Sequence, residues 1–290
     1  MDRLKGLRND TREIIEAAIR HLGEERPATL RHLYYLISQV DGLAPATEAG
    51  NGKIRRAINA GRERGVVSWE DIIDGSREAL WPSSRWKSPE DFLSDVRSWY
   101  RRDRWQSQPE RVELWYEKDT LDSLLEEVGE EFGVTLRSLH GYTSHSQLYA
   151  AAKELSKLKK PVTIFYLGDH DPDGYGIEDS AREELYEHFT GRFGRDRATL
   201  RFERIGFLPG DFREFGIRPL EAKMEGLNGA GPRFAARFKN DLRSAEIDAL
   251  PAKELRHRAS EAIRSRIDWK AWKKEERAER RDLKQLKETM

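Results

Sequence analysis

A chain of 290 residues, 37% hydrophobic and 36% charged, is long enough for two domains and a full core. No apolar run approaches the length of a membrane span, so no membrane association is expected. Cysteine is absent, which excludes disulfides, thiolate zinc sites and cysteine nucleophiles; with no signal-peptide pattern at MDRLKGLRND, the expected setting is cytoplasmic. The zero net charge hides an uneven spread. Residues 1–110 carry 19 basic and 18 acidic groups, residues 111–220 carry 15 and 21, and residues 221–290 carry 18 and 13. An acidic centre between neutral-to-basic ends fits a metal-holding middle with phosphate-contacting arms, and equally fits ordinary surface ion pairs.

Residues 10–22, DTREIIEAAIRHL, read as a capped amphipathic helix: Ile14, Ile15, Ala18, Ile19 and Leu22 recur at helical spacing. Thr29 can cap a second helix, LRHLYYLISQV. A third, GKIRRAINAGRERG, ends at Gly65, and VVSWEDIID beyond it can form a short β wing. Three helices and a wing predict a winged-helix, α-rich domain over residues 1–80. Its third helix carries Lys53, Arg55, Arg56, Arg62 and Arg64, which such a fold would set against a DNA groove; a solvated face is the plainer alternative.

Residues 81–110 read as a linker with one helix, capped by Ser88 and opened by Pro89. Trp81, Trp86, Trp99, Tyr100 and Trp105 gather here. Packing between domains is the expected use, with base stacking as the lesser one.

From residue 111 strands and helices alternate. RVELWYE, VTLRSL, VTIFYLGD and TLRFERIGF have strand character, and TLDSLLEEVGEEF, SQLYAAAKELSKL and IEDSAREELYEHF are helical. The pattern predicts an α/β domain over residues 111–220, with a mainly parallel sheet and right-handed crossovers. Residues 221–290 are expected to be mostly helical. They end in a highly charged helix that is either solvated or partner-binding.

The stretch YLGDHDPDGYGIEDS places Asp169, Asp171 and Asp173 at alternate positions. An EF-hand loop also begins this way. It needs a bidentate acid at its twelfth position, where Ser180 stands, and a helix in front, where a β-rich segment stands. Glu117 ends the first strand of the sheet as Asp169 and Asp171 end the third. In a parallel sheet these ends share an edge, so the three carboxylates can converge. Unpaired, they would repel and resist burial. A hard divalent cation resolves the conflict, and Mg2+ suits carboxylate, water and phosphate oxygens best. Three independent surface acids is the plainer reading.

A glutamate on the first strand and Asp-x-Asp on a later one resembles the Toprim domain of topoisomerases and primases. TLRHLYY (29–35), VELWYEKDTL (112–121) and YLGDHDPDGYGI (166–177) occur in one order over about residues 10–220. Together they resemble the A subunit of type IIB topoisomerases and the related meiotic double-strand-break transesterase; GFLPGDFREFGI also looks similar. The resemblance implies a Toprim sheet behind a winged helix. It implies that Tyr35 attacks a DNA phosphodiester and takes the 5′ phosphate, with Arg31 as a phosphate contact. It places the metal on Glu117, Asp169 and Asp171, with Asp173 and Lys118 as possible supporting groups. Tyr35 and the acids belong to different domains, so the resemblance also implies a homodimer in which each tyrosine meets the partner's metal. No ATPase region is seen in these residues, so either a separate ATPase partner exists or the protein only cleaves DNA. A nucleoid-associated location would follow.

A tyrosine hydroxyl, with a pKa near 10, needs a base, a cation or a metal to become a nucleophile at neutral pH. Tyr34 and Tyr35 point about 100° apart on a helix, and at least one should be packed in the core. Two other functions compete: a Toprim nuclease using metal-activated water, in a defence or plasmid-restriction role with Tyr35 structural, and a non-catalytic DNA-binding subunit. A phosphatase of the HAD type would want Thr or Val where Asp173 stands. His170 and Asp173 also replace residues that are usually small or aromatic in the topoisomerase family.

Overall fold

The computed structural model describes residues 3–24, 26–68, 71–73, 86–139, 145–225, 229–239 and 241–288. The N-terminal part holds α1 (Asn9–Glu24), β1 (Ala28–Thr29), α2 (Leu30–Tyr35) and α3 (Glu48–Glu63). Thr29 caps α2, accepting from the His32 amide at 3.0 Å. Past Tyr35 the helix widens into a π turn over Leu36–Val40. Thr47 caps α3, which begins four residues before the expected start at Gly52. Of the expected wing, Ile72–Ile73 forms β2 and pairs in parallel with β1; Trp69, Glu70 and Asp74 lie outside the described residues. Among the described residues this region is three helices and one short parallel pair, without the antiparallel hairpin that defines a wing.

Next come α4 (Pro89–Trp99), β3 (Arg111–Tyr116), α5 (Asp122–Phe132), β4 (Thr135–Ser138), α6 (His145–Ser156), β5 (Val162–Leu167), α7 (Pro172–Glu187) and β6 (Leu200–Arg204). Four parallel strands run in the order β4-β3-β5-β6, giving the expected α/β sheet. Tyr116 pairs with Leu167, so the C-terminal tips of β3 and β5 lie side by side. Both strands are buried on two faces, which explains their near-continuous apolar sequences. Trp115, Ile164 and Tyr166 pack with α6 and α7 on one face. Val112, Leu114, Phe165 and Leu167 join the other, in a core continuous with the N-terminal helices.

Residues beyond 210 are more than a helical tail. They form α8 (Asp211–Glu214), β7 (Leu220–Glu221), α9 (Ala230–Arg237), β8 (Arg243–Ser244), α10 (Ala252–Arg264) and α11 (Trp269–Glu288). β7 pairs antiparallel with β8, and Ala245 bridges to His170 beside the Asp-x-Asp turn. α10 sends Leu255, Ala259 and Ile263 into the core under α5.

The charged helix α11 is neither simply solvated nor free for a partner on its inner side. Trp272 is buried against Trp105 at 5.8 Å and Phe132 at 6.4 Å between ring centres. Glu275 accepts from Arg102 Nε at 2.6 Å and Gln106 Nε2 at 3.0 Å, and Glu279 accepts from Arg104 Nη2 at 3.1 Å. Asp282 accepts from the Tyr100 hydroxyl at 2.7 Å and Arg102 Nη1 at 2.8 Å. The helix thereby clasps the segment leading into β3. The tryptophans of that segment divide. Trp105 is core and donates to Phe132 O at 2.7 Å, whereas Trp86, just ahead of α4, and Trp99, at its last position, stay exposed and Trp81 lies outside the described residues.

Trp272→Ala empties the centre of this clasp. Urea unfolding should show a loss of about 3–5 kcal/mol, whereas Trp99→Ala should cost well under 1 kcal/mol.

Candidate functional site

Asp169 follows β5, and Asp171 caps α7, accepting from the Gly174 amide at 2.6 Å. Pro172 takes the first helical position, where its missing N–H costs nothing. Glu117 stands at the adjacent tip of β3, and its Oε2 accepts from the Asp169 amide at 2.9 Å. Glu117 therefore turns towards the Asp-x-Asp turn. Gly174 is required here: a Cβ at that position would come within 2.7 Å of Asp169 O and 3.0 Å of Glu117 Oε2.

The approach of these carboxylates shows in their proton affinities. Burial, then the neighbouring Asp169 charge, pushes Glu117 up to about 8. The same two causes push Asp171 up to about 6. Asp173 sits on the first turn of α7, with Oδ1 buried and lacking a hydrogen-bond partner.

Lys118 supplies the local positive charge. Its ammonium is 2.6 Å from Asp169 Oδ2, in short contact with Glu246 Oε2 and 3.7 Å from Asp248 Oδ2. Glu246 and Asp248 lie outside the motifs that stand out in sequence, although the Glu-x-Asp spacing in SAEIDAL was a signal available to find them. Their segment docks because the Ile247 amide donates to Asp169 Oδ1 at 2.8 Å and Thr120 donates to Asp248 Oδ1 at 3.2 Å.

Tyr35 reaches this cluster within one chain. α2 packs on Ile247–Ala249, and both Lys118 and Arg31 lie 5.8 Å from the Tyr35 ring centre. Arg31 sits 3.7 Å from both Glu246 Oε2 and Asp248 Oδ2, with its guanidinium facing Tyr35. The expected separation of tyrosine and acids is thus absent, because residues 246–248 and the shared core join the two regions. A second copy is not needed to bring them together. Burial pushes the Tyr35 hydroxyl up to about 12; Arg31 opposes that rise, and Asp248 and Asp169 add to it. Tyr34 is also buried, its ring 4.9 Å from that of Tyr35.

Arg204 is a further residue hidden from sequence reading. It is buried, pairs with Glu178 at 2.5 Å and donates to the carbonyl of Gly168 at 2.8 Å and to that of Asp169. Its guanidinium also covers the Tyr175 ring at 3.9 Å. These bonds fix the turn that aims Asp169. His170 points into a cage formed with Tyr175, Phe207, Phe212, Phe234 and Phe238. Burial, then Arg204, lowers it to about 4, so it serves there as a neutral aromatic ring.

The basic residues of α3 have mixed roles. Arg55 and Arg56 are exposed, and Lys53 pairs with Asp10 at 3.0 Å. Arg62 donates to Ile72 O at 3.0 Å, and Arg64 donates to Arg3 O at 3.1 Å.

Among the described residues, Glu117, Asp169, Asp171, Glu246 and Asp248 face the cations Lys118 and Arg31, a surplus of three negative charges if all are ionised. Asp248 Oδ2 is buried without a hydrogen-bond partner. That imbalance fits a divalent cation, and the Lys118 ammonium stands in for one. As arranged, the described residues contain no group of three or more acidic or histidine side chains in metal-holding geometry. No helix among the described residues is long and apolar enough to cross a membrane. No family model, curated protein or solved structure matches the chain.

Glu117 has a folded pKa above its unfolded value, so the folded state binds more protons between about pH 4 and pH 8. Its contribution is present below pH 4 and is lost as pH rises through about 8. Without divalent cations, Glu117→Gln keeps an acceptor for the Asp169 amide. It should raise unfolding stability at pH 8 by on the order of a few kcal/mol and change it little at pH 4, as read by urea titration.

Proposed function

We propose that this chain cleaves DNA by transesterification, with Tyr35 as nucleophile and Mg2+ held by Glu117, Asp169 and Asp171. The observation that carries the reading is a tyrosine with Arg31 and Lys118 each 5.8 Å from its ring centre, in one chain with a surplus of carboxylates around two adjoining strand tips. Tyr35 Oη would bond to phosphorus while the bond from phosphorus to the 3′ oxygen breaks. The phenol gives up its proton and the departing oxygen gains one, leaving a 5′ phosphotyrosyl link and a 3′ hydroxyl. The cation, when bound, neutralises charge on the phosphodiester and stabilises the departing oxygen.

The chain's own residues prepare that step. At a pKa of about 12 the resting Tyr35 is protonated, and Arg31 supports its anion. Arg31 is half-exposed and only loosely paired with Glu246 and Asp248 at 3.7 Å, so it is available to a phosphate oxygen. Lys118 holds Asp169 in place at 2.6 Å, and a bound cation would be held by the same carboxylate. Arg55 and Arg56 on the exposed face of α3 would contact the DNA backbone. Cutting both strands of a duplex would require two copies, and strand passage would require a separate ATPase.

A second reading has an observation in its favour. Tyr35 is 93% buried with its proton held tightly, which suits a structural role beside a hydrolytic metal centre.

Incubation with supercoiled plasmid and Mg2+, followed by denaturation with and without protease, tests both. Wild type should leave protein on 5′ ends. Tyr35→Phe, Glu117→Gln and chelation of the metal should each lower adduct formation by on the order of 10³-fold or more. Metal-dependent cleavage retained by Tyr35→Phe overturns the transesterase in favour of the nuclease. Loss of neither binding nor any activity in Glu117→Gln and Asp169→Ala leaves only a DNA-binding subunit.

A further inference from the structure

The folded α11 sorts its charges by side. All eight of its lysines and arginines, from Lys270 to Lys287, are exposed. Four of its five acids turn inward or sideways: Glu275, Glu279 and Asp282 clasp Arg102, Arg104 and Tyr100, and Glu276 lies 3.6 Å from Arg104. Glu288, at the end, is the one fully exposed acid and lies 3.7 Å from Lys284. Positions 270, 273, 274, 277, 281 and 284 fall on one side of a helix with 3.6 residues per turn. The result is a ridge of positive charge about 21 Å long on a packed support.

We propose that the outer face of α11 is a second nucleic-acid contact, a ridge that tracks the phosphates of duplex DNA apart from α3. Duplex DNA presents a negative charge about every 1.7 Å of axis, so a ridge of this length meets many phosphates within one turn. An anionic membrane is a poorer fit. A helix lying in a bilayer surface needs a free apolar face, and here Trp272 is buried while Leu283 and Leu286 turn inward with the acids. The ridge itself does not depend on the cleavage reading; the choice of DNA among polyanions rests on it.

The full chain carrying K273Q, K274Q, R277Q and R281Q should keep its thermal midpoint, since the clasp uses the opposite side. With a labelled 30-bp duplex and no divalent cation, its affinity in low salt should fall at least about tenfold. The slope of log K against log salt should flatten by about 3. Unchanged affinity and slope overturn the proposal. So does an unchanged duplex slope combined with lost binding to phosphatidylserine vesicles, which would assign the ridge to a membrane. Tyr35→Phe run alongside separates the two readings. A wild type that makes no adduct while the ridge variant loses duplex affinity refutes cleavage and leaves the ridge standing; a wild type that makes adduct while the ridge variant binds like wild type does the reverse.

Discussion

One ammonium group holds the centre of this protein together. Lys118 stands among Asp169, Glu246 and Asp248 and lies against the Tyr35 ring. Five acids crowd this point because two parallel strands end there and a distant loop docks onto the turn between β5 and α7. Without a cation the arrangement would fly apart or take up protons, and Glu117 shows that tendency in its raised affinity for a proton. The lysine relieves part of the repulsion and leaves a deficit. The site is folded yet short of positive charge.

Around this point the architecture is a means of aiming. Arg204, buried under the turn, holds the carbonyls of Gly168 and Asp169 while balancing Glu178. His170, which stands where the topoisomerase family usually has a small or aromatic residue, fills an aromatic cage and anchors the bridge to Ala245. The π turn beginning at Leu36 follows Tyr35 directly. Such widened turns often mark functional positions, and this one sets the helix beyond Tyr35 on a new rotation.

How much of this could be read from residues alone follows the range of the forces involved. The sheet was legible, because RVELWY and VTIFYL are apolar and β-branched along their length, as doubly covered strands must be. Convergence of Glu117 with Asp169 was legible too, since parallel strands in register bring their tips together. The contribution of Glu246 and Asp248 was not, because no local pattern reveals which of many Glu-x-Asp pairs will travel back to the sheet. The meeting of Tyr35 with the acids in one chain depended on the same docking. The clasp of α11 was hidden for another reason: charge counts along a helix do not say which sign faces inward until its partner, Arg102, is placed.

The bond between Lys118 and Glu246 spans 128 positions of the chain. Translation proceeds from the N terminus, so β3, β5 and the tyrosine leave the ribosome long before the segment that completes their surroundings. A nascent chain carries the acids without the loop that orders them. The cluster cannot be assembled until residues 246–248 have followed, and the order of the polypeptide itself acts as a safety catch.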